Sequence, residues 1–446
     1  MVLCGEIAVR NVNSAKHETP FMIRMTLTAI GLVATLALGA CGTLDRPTGP
    51  LRIAPDQIVA AQDPRIGAND TAKLQALVAD VAGRISGPQR GQKILALSGG
   101  GANGAYGAGL LVGWTEHGDR PTFDIVTGVS TGALAAPFAF LGPDWDDELR
   151  QAYTGGGANG LLSARTLAAF RNPSLFSSRV LRALVDDNVT PELLRQIAIE
   201  SAKGRKLLVA TTNLDTEETV IWDMGVLAAQ GDEAGLTLFK DVLVASASIP
   251  GVFPPVLIAG LNKDGQVIED MHVDGGVNTP FLAVPEDLLL WTNPAARRGD
   301  GEIYVVVNGQ IGRNEGVTPG RISGILTRTY DSMSKSSLRT ALIATAAFAG
   351  RNGIAMSMTA VPDNVSASSL KFDSASMQAL FDLGRARSVA GEAWSPVSAS
   401  TQPIALPSSL VAPDQIPDVL APPPAPETKN PASDGGASEK SDAPKT

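Results

Sequence analysis

Histidine and cysteine, on which many hydrolases and metal sites rely, are almost missing. Only Cys4 and Cys41 carry thiols, and His17, His117 and His272 are the full set of imidazoles in 446 residues. Two cysteines exclude a disulfide framework and cysteine-ligated zinc or iron–sulfur centres. Positive charge is also short: 36 Lys and Arg face 45 Asp and Glu, a formal charge of −9. With no dense basic run to neutralise phosphates, a nucleic-acid partner is not expected. What is present is globular in character, 44% hydrophobic and 18% charged. The length allows one large domain or two ordinary ones. The 46 glycines point to tight turns and close backbone approaches.

The N-terminus reads as a targeting segment. Leu27 to Ala40 is an uncharged run of fourteen residues preceded by Arg24, too short to span a bilayer and suited to a signal core. Residues 1–21 do not look like the start of a signal, which makes Met22 or Met25 alternative starts. Leu38-Gly39-Ala40-Cys41 resembles the lipobox of bacterial lipoproteins. That resemblance implies a signal peptide over 1–40, acylation of Cys41 and a lipid-anchored protein of the bacterial envelope. Gly42 in place of Asp implies the outer membrane, facing the periplasm. The alternative is an ordinary secretory signal with an incidental cysteine.

Residues 41–90 read as a polar, Pro-rich linker with a helix around Thr71–Arg84, where Leu74, Leu77, Val78 and Val81 recur at helical spacing. Residues 395–446 are rich in Pro, Ala and Ser, too apolar-poor to offset their ordering entropy, and read as a disordered tail. Between them, strands are expected at 93–98, 124–129, 206–214, 219–223, 267–274 and 303–308. Helical patterns cover 105–115, 131–140, 191–203, 326–350 and 374–392. This alternation predicts one α/β domain over 91–394, a three-layer sandwich with a central, mostly parallel sheet and helices on both faces.

The hexapeptide GGGANG occurs twice, at 99–104 and 155–160. The second copy has no strand before it and reads as a connecting loop. The first lies between an apolar strand and an apolar helix, where free backbone N–H groups favour negative charge. Gly99-x-Gly101-x-x-Gly104 fits a dinucleotide fingerprint, but Asp124 precedes the next strand instead of ending it. Next comes Gly128-Val129-Ser130-Thr131-Gly132, a G-x-S-x-G between strand and helix, which reads as a nucleophile elbow exposing Ser130. An oxyanion formed there can be met by the amides of Gly99, Gly100 and Gly101. For a base, His17 lies ahead of the signal core, and His117 ends a helix roughly 20 Å from the site, where it reads as a C-terminal cap. His272 and Asp274 share a strand face, with Asp274 at the strand end before Gly275-Gly276. Asp274 either acts as a general base or merely caps the turn. Ser246 and Ser248 have no elbow and read as structural.

The order strand–GGGxxG–helix, strand–GxSxG–helix, strand–DGG resembles the patatin-like phospholipase family, as do ASASIPGVFPPV (245–256) and MQALFDLGRARSVAGEAW (377–394). The resemblance covers about residues 91–394. It implies a lipid acyl hydrolase with a Ser–Asp dyad, Ser130 as nucleophile and Asp274 as proton acceptor, working through an acyl-enzyme without metal or organic cofactor. The expected partners are a lipid or other acyl-ester substrate and, through the anchor, a membrane. Asn103 stands where the family usually has Arg or Lys, which removes a reason to expect anionic head-group preference. Two other readings remain open. One is an α/β-hydrolase esterase using Ser130, His272 and one of Asp215, Asp223 or Asp241. The other is a catalytically silent envelope binding protein.

Overall fold

Two runs of apolar strand residues, each buried on both sides, set the architecture. The computed structural model describes residues 64–67, 72–73, 75–77, 79–80, 92–158, 177–261, 267–292, 301–313 and 315–397, all within one compact unit. The signal segment, Cys41 and the tail beyond Val397 lie outside these residues, as does most of the linker. The few described residues at 72–80 are helical, as the spacing of Leu77 and its neighbours predicts.

In chain order the strands are β1 (Arg65–Gly67), β2 (Gln92–Leu97), β3 (Ile125–Val129), β4 (Lys206–Asn213), β5 (Glu218–Asp223), β6 (Val256–Leu261), β7 (Val267–Asp274), β8 (Gly301–Val307), β9 (Ala355–Ala360) and β10 (Ser395–Pro396). The helices are α1 (Gly104–His117), α2 (Thr131–Leu141), α3 (Asp146–Thr154), α4 (Arg179–Asn188), α5 (Pro191–Ala202), α6 (Met224–Gln230), α7 (Glu233–Ser246), α8 (Ile322–Arg351) and α9 (Ser374–Val389). The sheet runs β1-β5-β4-β3-β2-β8-β9-β10. Its centre, β4 to β9, is parallel, flanked by antiparallel β5, with β1 beyond it, on one side and antiparallel β10 on the other. A parallel centre needs helical crossovers on its faces, which explains why Ile94–Leu97 of β2 and all of β3 are buried.

The pleat divides the core in two. Leu95 and Leu97 of β2 face a large cluster with Tyr106, Leu110, Phe140, Ile197, Phe239 and Phe381 from the helices. Ile94 and Ala96 face the other side, covered by α8 and the segment around Phe281–Leu288. Helices therefore lie on both faces, unequally. The expected α/β sandwich with a central, mostly parallel sheet is what forms.

The sequence expectation misses whole elements, among them β6, β9, α4 and α6; other differences are local. Pairing of β10 with β9, and of Val397 N–H with Met356, carries the sheet slightly past the expected boundary at 394. His117 does not cap its own helix: Gly118, at φ 94, closes α1 in the left-handed conformation that favours glycine. The His117 ring instead bonds the Val389 carbonyl at 3.0 Å, tying α1 to the end of α9.

Those two helices touch backbone to backbone. A Cβ at Gly109 would lie 1.9 Å from the Phe381 oxygen, and one at Gly384 would lie 2.1 Å from the Tyr106 oxygen. Such approach has no room for a methyl group, so Gly109→Val is expected to lower the unfolding free energy by about 1–3 kcal/mol or more. Urea denaturation followed by circular dichroism checks this; an unchanged midpoint would contradict the close contact.

Candidate active site

Ser130 is one of two non-glycine residues at positive φ among those described, at φ 56 and ψ −126. Such a backbone costs about 1–3 kcal/mol and persists only where its surroundings fix it. Here β3 ends at Val129 and α2 begins at Thr131, so the chain reverses on this single residue. The flanking glycines permit the reversal. A Cβ at Gly128 would lie 2.5 Å from Ala133 Cα, and one at Gly132 would lie 2.3 Å from the Leu97 oxygen. A strut completes the turn: the Ser130 N–H donates to Ser246 Oγ at 3.0 Å, and Ser246 Oγ donates to the Ala210 oxygen at 2.7 Å.

Strand register delivers the carboxylate. Along β4, residues 206–210 pair with β3, and Ala210 sits opposite Val129. Past that point β3 has turned away, and β7 takes its place with Asp274 opposite Thr211. The carboxylate therefore arrives one residue beyond the end of β3, where Ser130 turns. Ser130 Oγ donates to Asp274 Oδ2 at 2.5 Å, and Gly276 N–H donates to Asp274 Oδ1 at 2.7 Å. The Asp274 N–H is held by the Ser248 oxygen at 2.9 Å. A Cβ at Gly275 would lie 2.3 Å from the Ala210 oxygen, so that position must be glycine for β7 to come this close. Burial outweighs the two hydrogen bonds and pushes the Asp274 carboxyl up to about 7.

His272 is held elsewhere. Its Nδ1 bonds Thr211 Oγ1 at 2.9 Å, its ring meets Trp222 edge-on, and Nε2 has no partner among the described residues. Burial first, and then the Arg65 charge, lower it to about 4 against the opposing pull of Asp215, so it is neutral at pH 7. Two of its possible orienters are engaged: Asp223 caps α6 and pairs with Lys206, and Asp241 pairs with Arg182. Asp215 accepts the Met271 N–H at 2.8 Å.

The glycine loop divides differently from the sequence expectation. Gly99 N–H donates to the Pro280 oxygen at 3.1 Å and is not available to an oxyanion. The amides of Gly100 and Gly101 have no acceptor among the described residues. Thr131, opening α2, has no intrahelical acceptor either. Gly100 is pressed on the end of β8, where a Cβ would lie 1.8 Å from the Asn308 oxygen; Gly101, at φ 57, would place one 2.1 Å from the Ser369 oxygen. Gly104 lets α1 pass Thr131, whose Oγ1 would lie 2.1 Å from a Cβ there. Asn103 is buried, and its side-chain oxygen has no partner among the described residues. Asp124 accepts the Lys93 N–H at the start of β3, far from a ribose-binding position.

Several supporting residues escaped sequence reading. Asn308 grips the glycine loop by donating from its backbone N–H to Ser98 Oγ and from Nδ2 to the Ser98 oxygen, both at 2.8 Å. Tyr153 OH donates to the Thr131 oxygen at 2.6 Å. Ser246 and Ser248 are structural, as expected, but they brace the site itself. A polar residue ending an apolar strand could have flagged Asn308; nothing local marks the others. Beside Ser130 opens an apolar pocket of about 730 Å³, solvent-connected space included, lined by Leu134, Phe138, Val185, Leu243, Phe253 and Met377 among others. No group of three His, Cys, Asp or Glu side chains among the described residues could hold a metal ion.

The Asp274 shift has a consequence for stability. Its carboxyl rises from 3.8 to about 7, so the folded chain holds this proton more tightly than the unfolded chain. The stability gained is complete below about pH 4 and is lost as pH rises through 7. Asp274→Asn, which never ionises, should therefore gain stability relative to wild type between pH 4.5 and pH 8. Chemical denaturation at both pH values checks this; a difference independent of pH would contradict a carboxyl raised by burial.

Among known proteins, residues 95–285 match the family model described as patatin-like phospholipase. The chain is also similar to the crystal structure of VipD from Legionella pneumophila, at 14% identity and a TM-score of 0.31, over 70% of this chain and 69% of that one. It is similar to the type III effector protein ExoU at 12% identity and a TM-score of 0.26, over 73% of this chain and 58% of that one. No curated protein sequence matches it. The architecture is the patatin fold, and the chain carries a patatin-like phospholipase domain match that spans Ser130, Asp274 and the glycine loop.

Proposed function

We propose that the protein is a serine acyl-ester hydrolase of lipids, working with a Ser130–Asp274 dyad. The family match supports lipid acyl hydrolysis at its own level. The observation that carries the finer reading is the 2.5 Å hydrogen bond from Ser130 Oγ to Asp274 Oδ2 on a strained elbow. Asp274, buried and near neutrality in its ionisation, is matched to taking a proton at pH 7. Ser130 Oγ attacks the ester carbonyl as its proton passes to Asp274 Oδ2. The tetrahedral oxyanion is held by the amides of Gly100, Gly101 and Thr131, which face no competing acceptor. Collapse breaks the ester C–O bond, and Asp274 returns the proton to the departing alkoxide. Water, with Asp274 again as base, then hydrolyses the acyl-enzyme and restores Ser130.

The apolar pocket beside Ser130 suits an acyl chain, because its lining offers almost no hydrogen-bonding groups. No step requires a metal or an organic cofactor. In the same reading, Cys41 carries a lipid anchor that keeps the enzyme at the outer membrane on the periplasmic side, near its substrate.

A fluorophosphonate probe tests the proposal. Intact mass and peptide mapping should find one adduct on Ser130, and none in Ser130→Ala. Asp274→Asn should slow labelling by about 10²-fold or more, the usual scale of general-base catalysis. His272→Gln should label like wild type in its folded fraction. Folded wild type without an adduct would overturn the enzyme reading in favour of a binding protein. Loss of labelling in folded His272→Gln would make the histidine the base.

A further inference from the structure

Helix α8 packs along only half its length. It has 30 residues, about 45 Å of helix. Leu338, Leu342, Ala346 and Ala349 recur at spacings of four, four and three and are buried against the sheet. Before Leu338, none of its described side chains is buried. The apolar ones face outward: Ile325 is 49% exposed, Tyr330 46% and Met333 68%. Ile343, 71% exposed, lies five turns from Ile325 and on the same line of the helix, away from Leu338 and Leu342. Scattered exposed apolar residues are ordinary. Four on one helix, spread over about 140° of its surface on the side away from the buried residues, form an exposed apolar face that no described residue buries.

Position and charge indicate what covers it. β8 and β9 run parallel with α8 between them in the chain, so α8 returns antiparallel to them. Arg339 Nη1 donates to the Ile311 oxygen at 3.2 Å, just past the end of β8, so the half of α8 before it projects beyond the sheet edge where β3 ends at Ser130. From Arg321 to Arg339 the chain carries Arg321, Arg328, Lys335 and Arg339 against Asp331 alone, within a protein of net charge −9. A basic helix with an outward apolar face suits a surface that is apolar inside and anionic at its boundary. A second copy fits less well, because pairing would bring two basic segments together.

We propose that the N-terminal half of α8 seats the sheet edge that carries Ser130 on an anionic phospholipid bilayer. The purpose of this contact rests on the hydrolase reading above; its geometry does not.

The test uses the full chain with Cys4→Ser, Cys41→Ser and Ser130→Ala, labelled with an environment-sensitive fluorophore at Met333→Cys. The control carries the label at Arg195→Cys, on an exposed part of α5. Vesicles of phosphatidylcholine alone are compared with vesicles containing phosphatidylglycerol. With anionic vesicles, emission at 333 should shift to the blue and be quenched by a lipid-borne nitroxide, with little change at 195 or with neutral vesicles. An unshifted label at 333, or equal changes at both positions, would overturn the proposal. A blue shift without lipid that grows with protein concentration would assign the apolar face to a second copy instead.

A second arm, with Ser130 intact, compares Met333→Glu with its parent. Hydrolysis of anionic vesicle phospholipid should fall about tenfold or more, the scale of losing one buried apolar side chain, while hydrolysis of a soluble short-chain ester stays unchanged. Equal loss on both substrates would count against docking. A parent that hydrolyses neither would sink the hydrolase reading alone, because the fluorescence readout needs no turnover.

Discussion

One hydrogen bond, from Ser130 Oγ to Asp274 Oδ2, is the contact on which the rest of the architecture converges. A carboxylate in a water-excluded site is costly unless bonded, and among the described residues this one has two donors to its oxygens, Ser130 and Gly276. The site therefore balances burial, which raises the carboxyl, against those two bonds, which lower it. A group poised in this way can accept a proton without an imidazole relay. A chain whose one strand histidine is turned toward Thr211 and held neutral can thus still carry a base.

The sheet produces this contact through a substitution of partners. β4 is longer than the stretch β3 can pair with, because β3 leaves the sheet at Ser130. The vacated edge of β4 is filled by β7, arriving antiparallel with Asp274 in the first place. Ser130 and Asp274 therefore meet because one strand ends where another begins. The glycines at 128, 132 and 275 remove the Cβ atoms that would hold these backbones apart. Ser246 and Ser248, at the end of α7 and just past it, tie the elbow and Asp274 to the end of that helix, and Ser246 also bonds Ala210 of β4.

Features set by local backbone demands could be read from the sequence: the G-x-S-x-G turn, the glycine loop, the Asp-Gly-Gly strand end and the apolar central strands. Each is written in residues adjacent along the chain. Features set by distant partners could not. Gly99 was expected among the oxyanion donors, but its acceptor, the Pro280 oxygen, belongs to a segment far along the chain. The same holds for Ser246, Asn308 and Tyr153, whose roles exist only once separate strands and helices are assembled. Short strands such as β1 and β10 lack an apolar pattern because edge positions do not demand one. In α8 the periodicity that marks a helix gave no sign that its exposed apolar face turns away from the core.

In the proposed mechanism a buried aspartate, not a histidine, activates Ser130. The most direct test is the pH dependence of fluorophosphonate labelling at Ser130 in wild-type protein, with folding verified at each pH. With Asp274 as base the rate should rise through a single ionisation near 7, the value to which burial brings Asp274, with that rise missing in Asp274→Asn. A rate that instead rises near 4, where His272 titrates, or one that keeps its inflection in Asp274→Asn, would contradict it.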